Sequence, residues 1–424
     1  MYGPMKASYT SGVWRGLWMF LILLAAAGEA AQAQYQLGFH FTSRRNSIRI
    51  PFEWQSNLII VPMQINGSDT LNFILDTGIS MTLLTDPRSA DGLGFTYARQ
   101  VNVMGVGGGQ PLKANIAINN RVTLPGIQAR GHNIVVLSED ILQLSSYVGM
   151  PVHGIFGFEL FRNFVVKIDF LAREITLYKP DKYQYRGKGE KIPIVIEDTK
   201  PYLYAKAIWA DNREVPIKVI LDTGAGHALS LDIGSHEHIQ LPDRIIRAQL
   251  GRGLNGIITG SLGRVEKVKI GSFELQDVIT SFPDTNSMAA QIARKIDRQG
   301  NIGCELLKRF TVVIDYSRNY VVLKPNKHYY RETFERDMSG LELKAKGDNF
   351  RTFVIEKVQA GSPAEAGGLM AGDEILSVNG KMSSQLKLSD ILKTLQRGEG
   401  REIKIFVRRN TELLFTSFFL KRMI

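Results

Sequence analysis

Between residues 58 and 325 the chain is a succession of short apolar runs with turn residues between them. Residues Leu58 to Ile65 alternate and are rich in Ile and Val, the pattern of a half-buried strand. Asn66-Gly67 follows, a strong hairpin signal, and Leu71 to Leu75 is the predicted return strand. That strand ends in Asp76-Thr77-Gly78, within the stretch FILDTGIS at 73–80. A nearly identical stretch, VILDTGAG, occupies 219–226 and ends in Asp222-Thr223-Gly224. An acid closing a buried strand is costly unless it has partners. Two such acids on two matching strands point to each other.

The match extends far beyond the motif. Adding 146 to a position in the first half finds its counterpart in the second. Gly105 and Gly107 map to Gly251 and Gly253, and Gly154 to Gly300. Gly157, Glu159, Leu160, Phe164, Ile168 and Asp169 map to Gly303, Glu305, Leu306, Phe310, Ile314 and Asp315. This is an internal duplication. Each copy orders strand, hairpin, strand, acidic turn, Gly-rich hairpin, further strands, a short helix-like segment and a closing hairpin. The expected fold is mostly β and bilobal, with lobes at 58–180 and 191–325. An N-terminal extension at 34–57 precedes them, and polar connectors at 181–190 and 326–337 follow each lobe. Residues 338–424 repeat nothing earlier. They are expected to form a small β-barrel-like domain with two helices, at 364–367 and 388–397.

Composition adjusts this picture in four ways. The chain of 424 residues, 44% hydrophobic and 22% charged, is long enough for two to four globular domains. Lys6 and Arg15 precede an apolar run at 17–27, and Ala31-Gln32-Ala33 forms a small-residue cleavage site. Residues 1–33 are therefore expected to be a signal peptide, with the protein exported to the periplasm or envelope and no integral span after cleavage. The single cysteine, Cys304, excludes an intramolecular disulfide. The net charge of +11 is spread over scattered Lys and Arg, without the basic helix or aromatic-basic interleaving of nucleic-acid binders.

Duplicated lobes can pack about a pseudo-twofold axis, as in an isologous dimer. Asp76 and Asp222 would then meet there. Two carboxylates in contact do not easily both ionise, so they hold one proton between them. The ionised one can take a proton from water and the protonated one can donate to a carbonyl oxygen. Thr77 and Thr223 are placed to hydrogen-bond across the axis, and the Gly78 and Gly224 amides to hold the carboxylates.

On these residues the chain resembles the aspartic protease superfamily, pepsin-like and retropepsin-like, over residues 50–327. Its lobe length and lack of disulfides look closest to bacterial exported retropepsin-like proteins. The resemblance implies peptide-bond hydrolysis by an activated water, a polypeptide substrate and no cofactor. It also implies a cross-axis hydrogen-bond pair at Thr77 and Thr223. The family's hydrophobic-hydrophobic-Gly element looks like Ile155-Phe156-Gly157 in lobe one. In lobe two it is Asn301-Ile302-Gly303, where Asn301 departs from the pattern. Ser80 is expected to support the outer oxygen of Asp76, while Ala225-Gly226 gives Asp222 no hydroxyl. The flap hairpin looks like 103–110, with Gly105, Gly107, Gly108 and Gly109, and its counterpart is 250–256; either or both would cover the cleft. Gly107-Gly108-Gly109 lacks the helix and the Lys-Ser or Lys-Thr of a phosphate loop. His236-Glu237-His238 has no third ligand at a sensible spacing, so no metal is expected. His227 reads as a packed structural histidine. The rival reading is a non-catalytic peptide-binding adaptor that keeps the protease fold.

The C-terminal segment resembles a PDZ domain, on Ala360-Gly361-Ser362-Pro363-Ala364-Glu365-Ala366-Gly367-Gly368-Leu369 and on the run at 371–380, AGDEILSVNG. The carboxylate-binding loop looks like Gly340-Leu341-Glu342-Leu343, a nest of backbone N–H groups for a peptide C-terminus. The peptide would add as a strand, with Leu388 and Leu392 shaping an apolar pocket.

Overall fold

The computed structural model describes residues 38–103, 111–254, 256–284 and 297–424. The signal segment and the flap glycines Gly105, Gly107, Gly108 and Gly109 lie outside the described residues. The fold is mostly β. In lobe one, Leu58–Ile65 pairs antiparallel with Leu71–Leu75 across the predicted Asn66-Gly67 turn. Leu71–Leu75 then pairs in parallel with Gly154–Phe156, and Thr82–Leu84 lies on the other side of that short strand. The long hairpin Leu112–Leu124 and Ile127–Leu137 closes the sheet on itself. Phe73 and Phe156 fill the interior, edge to face at 6.3 Å. Lobe two repeats the arrangement with Lys200–Ile208, Glu214–Leu221, Leu229–Leu231, Gly256–Ile270, Phe273–Pro283 and Gly300–Ile302.

A six-stranded sheet joins the lobes, and its centre carries the symmetry. Val165–Asp169 of lobe one pairs antiparallel with Phe310–Asp315 of lobe two. Lys167 faces Val313, and 313 − 167 is the repeat offset of 146, so these two residues are each other's counterparts. Val166 faces Ile314 while Ile168 faces Val312, the same contact reversed. The pseudo-twofold axis therefore passes through this ladder, the isologous geometry that duplication allows.

Residues 38–57, set apart in the sequence as an extension, are woven into the lobes. Ser47–Pro51 is an edge strand of the shared sheet, and Glu53–Gln55 pairs with Leu58–Ile65. The second connector is also anchored. It contains the short helix Lys327–Arg331, and Phe334 lies beneath the guanidinium of buried Arg309 at 3.5 Å.

The C-terminal module has its own core of Leu343, Phe353, Ile355, Ile375, Ile391, Ile403 and Val407. Its strands run in the order Leu341–Lys346, Thr352–Val358, Glu374–Val378, Glu402–Arg409, Glu412–Phe419. The helices Pro363–Ala366 and Leu388–Leu395 flank them. Among the described residues, no helix is long and apolar enough to cross a membrane.

A charged cluster ties this module to both lobes. The Tyr147 hydroxyl of lobe one reaches both oxygens of Glu356 at 2.7 Å. Arg252 of the lobe-two hairpin stacks on Tyr147 at 5.2 Å and approaches Glu356 at 3.7 Å. Burial and the Glu356 carboxylate push the Tyr147 phenol up to about 12, so it stays a donor. Hydrogen bonds to charged acceptors contribute about 1.5–3 kcal/mol. Tyr147→Phe should therefore speed amide exchange in 144–149 and 341–346 by roughly tenfold or more, and leave the lobe cores unchanged. Unchanged exchange in both segments would show that this bond does not hold the module.

Candidate active site and peptide groove

Each acidic motif sits where a strand ends against the short strand beside it. Asp76 N–H donates to Phe156 O at 2.8 Å, and Asp222 N–H to Ile302 O at 2.9 Å. The backbone at Gly157 lies directly against the Asp76 carbonyl, and a Cβ there would overlap it. The two carboxyls meet and share a hydrogen bond. The Gly78 amide donates to Asp76 Oδ1 at 2.5 Å, and the Gly224 amide to Asp222 Oδ1 at 3.0 Å. Gly224 also packs flat against the Asp76 carboxyl, where any side chain would collide. Close approach is what demands glycine there, since neither motif glycine has a positive φ.

The threonines lock the loops beneath the acids. Thr77 N–H donates to Thr223 Oγ1 at 3.1 Å, and Thr223 N–H to Thr77 Oγ1 at 3.0 Å. Each hydroxyl then donates across the axis, Thr77 to Leu221 O at 2.5 Å and Thr223 to Leu75 O at 2.9 Å. Both threonines are fully buried. Four hydrogen bonds thus tie two segments that are 146 residues apart.

The electrostatics are asymmetric. Burial raises Asp76 well above the usual carboxylate range, and the facing Asp222 raises it further. The surroundings of the pair differ from the expectation. Ser80 does not support Asp76: its hydroxyl is exposed and bonds Thr199 Oγ1 at 2.6 Å. The chain leaves the motif outward there, toward the turn before Lys200–Ile208. The supported acid is instead Asp222. Asn301 Nδ2 donates to Asp222 Oδ2 at 2.8 Å, and Asn301 Oδ1 lies 3.1 Å from His227 Nε2. Asn301 was visible in the sequence only as a departure from an apolar pattern, and His227 only as a packing residue. Cys304 is buried next to the pair, its thiol on Thr223 O at 3.3 Å, and burial pushes that thiol well up, so it is a neutral packing group.

A family model described as aspartyl protease matches residues 61–160 and 208–306, one segment in each lobe, and a model described as PDZ domain matches 354–409. The chain has an aspartyl protease domain and a C-terminal PDZ domain. Both matched protease segments contain the acidic motif and the short strand that supports it.

The PDZ groove lies between the edge strand Leu341–Lys346 and the helix Leu388–Leu395. The loop before the strand is engaged from within the chain. Asp337 Oδ1 accepts from the amides of Ser339 at 3.1 Å, Gly340 at 2.6 Å and Leu341 at 3.2 Å. Two of the N–H groups expected to capture a peptide carboxylate, those of Gly340 and Leu341, therefore already hold one. Burial pushes Asp337 up to about 6. Glu342 is turned onto the Gln249 amide of the lobe-two hairpin. Leu341 and Leu343 are buried in the PDZ core. Leu388 is also buried, and the protease segment at Gly149 lies on it: a methyl group on Gly149 would stand 2.7 Å from Leu388 Cβ. The helix Leu144–Val148 packs on the edge strand. Leu392 remains half-buried at the margin of the PDZ core. The groove residues are thus together, and the protease lobe covers one end of them.

Proposed function

We propose that this protein is an exported aspartic endopeptidase that cleaves peptide bonds with a water activated by Asp76 and Asp222. The observation that carries this reading is the hydrogen-bonded carboxyl pair, with an amide donor to each acid and the Asp76 carboxyl held above the usual range by burial and by Asp222. A water between the carboxyls gives its proton to the ionised acid and attacks the scissile carbonyl, while the protonated acid donates to the carbonyl oxygen. The tetrahedral intermediate then collapses with proton transfer to the leaving nitrogen, and no covalent enzyme intermediate forms. The PDZ domain engages the polypeptide substrate or its C-terminus by strand addition, once the Gly149 segment and the Asp337 carboxylate give way. Export rests on the basic-apolar-small pattern of residues 1–33.

Digesting a peptide library with the wild type beside Asp76→Asn tests this reading. Specific cleavage by the wild type alone supports a protease; binding without cleavage supports the adaptor reading. The raised Asp76 carboxyl adds a pH expectation. Its proton must be present for catalysis, and it is retained to higher pH than in an ordinary carboxyl. The rate profile should therefore extend toward neutral pH. A profile confined to the strongly acid range would contradict this.

A further inference from the structure

We propose that Asn301 and His227 are positioning residues that commit Asp222 to the ionised, water-activating role. This rests on the aspartic-protease reading above. The duplicated frame does not by itself decide which acid loses its proton, because each motif supplies its own acid with one glycine amide. The frame is broken at position 301. Its lobe-one counterpart is Ile155, since 301 − 155 = 146. Ile155 packs among the apolar side chains of Ile60, Ile74 and Val152 and has nothing to donate. Asn301 gives Asp222 a second donor, on the oxygen that the Gly224 amide leaves free. A carboxylate with two N–H donors is stabilised in its charged form relative to one with a single donor.

An amide side chain helps only when its NH₂ end faces the carboxylate, because its carbonyl end would repel it. His227 Nε2 stands at the opposite end, on Asn301 Oδ1. With the proton on Nε2 the chain of donors runs from His227 to Asn301 to Asp222, and the amide has one favourable orientation. Burial lowers the His227 imidazole, which keeps it neutral with a single N–H to give. The groups around it leave this chain undisturbed. The Glu305 carboxylate is taken by Lys308 and Arg309. Cys304 faces Thr223 O, and the charge of Lys200 acts on Asp76.

The full chain is assayed as wild type, Asn301→Leu and His227→Phe, with a fluorogenic peptide across pH and with ¹³C-labelled Asp carboxyls followed by NMR. For Asn301→Leu, kcat should fall roughly 10- to 100-fold, the loss for a hydrogen bond to a charged group, with KM within about twofold. The acid limb of the profile, and the lower carboxyl titration of the pair, should move up by about one pH unit. His227→Phe should move both in the same direction by less. In the wild type, ¹⁵N imidazole shifts should report the Nε2–H tautomer. An unmoved carboxyl titration in Asn301→Leu, or an Nδ1–H tautomer in the wild type, overturns the proposal. If the wild type cleaves no peptide, the protease reading fails, yet the carboxyl titration and the tautomer still decide this inference.

Discussion

Asp76→Asn and Asp222→Asn should each reduce kcat/KM for peptide cleavage by roughly 10⁴-fold, the upper range for a lost general acid or base. Either substitution removes half of a pair that works by exchanging one proton. The loss should come without unfolding. Asp76 is held well above the normal carboxylate range by burial and by Asp222, so ionising it destabilises the fold. A group whose folded pKa is raised contributes stability at pH below its unfolded value of about 4, and that contribution is lost as pH rises through the folded value. Asp76→Asn lacks this loss. Its thermal midpoint should accordingly gain on the wild type as pH increases from about 4. Cleavage within tenfold of wild type in either variant would sink the mechanism, and a collapsed thermal midpoint would mark the loss of activity as structural.

The second large effect concerns the threonines. Thr223→Val keeps the shape of the side chain but removes the donor to Leu75 O and the acceptor for Thr77 N–H. Both lost partners are backbone groups at the buried junction, where each unsatisfied group costs about 1–3 kcal/mol. The sum is about 2–6 kcal/mol. For a domain of this size that lowers the thermal midpoint by roughly 5–15 °C. Thr77→Val removes the mirror-image bonds to Leu221 O and Thr223 N–H and should cost a similar amount. Because the four bonds form one linked set, the double variant should lose less than the sum. A midpoint shift under about 2 °C in both single variants would show that the lobes are held elsewhere.

The motif pair, the repeat offset and the bilobal β architecture were legible because they are written locally or periodically. Asp-Thr-Gly after an apolar run needs no knowledge of distant residues, and the offset of 146 is a property of the string. What surrounds the acids was not legible in the same way. Ser80 is four residues from Asp76 and carries a suitable hydroxyl, but the turn sends it outward to Thr199. Asn301 is 79 residues from Asp222 and reaches it because a parallel pairing brings Gly300–Ile302 beside Val219–Leu221. Its one trace in the sequence was an amide where lobe one has Ile155. Asp337 was likewise hidden: a polar connector reads as a spacer, although its acid caps three amides of the following loop. The alternating Ile48 and Ile50 of Ser47–Pro51 did carry a strand signal, but the partner strand lies more than a hundred residues away.

The shared sheet also sets an order of events during synthesis. Its central ladder joins Val165–Asp169 to Phe310–Asp315, a contact with a large sequence separation and a correspondingly slow closure. The lobe-one acid emerges from the ribosome long before its partner, and the ladder that aligns them needs residues up to 315. Chains grow at roughly 5–20 residues per second, so the 146 residues between the two acids separate them by about 7–30 seconds. A nascent or truncated chain that ends before residue 310 lacks the ladder that aligns the two acids, and one that ends before residue 222 lacks the second acid altogether. The duplication thus acts as a timer, under which the pair is assembled only in a chain whose second lobe is already made.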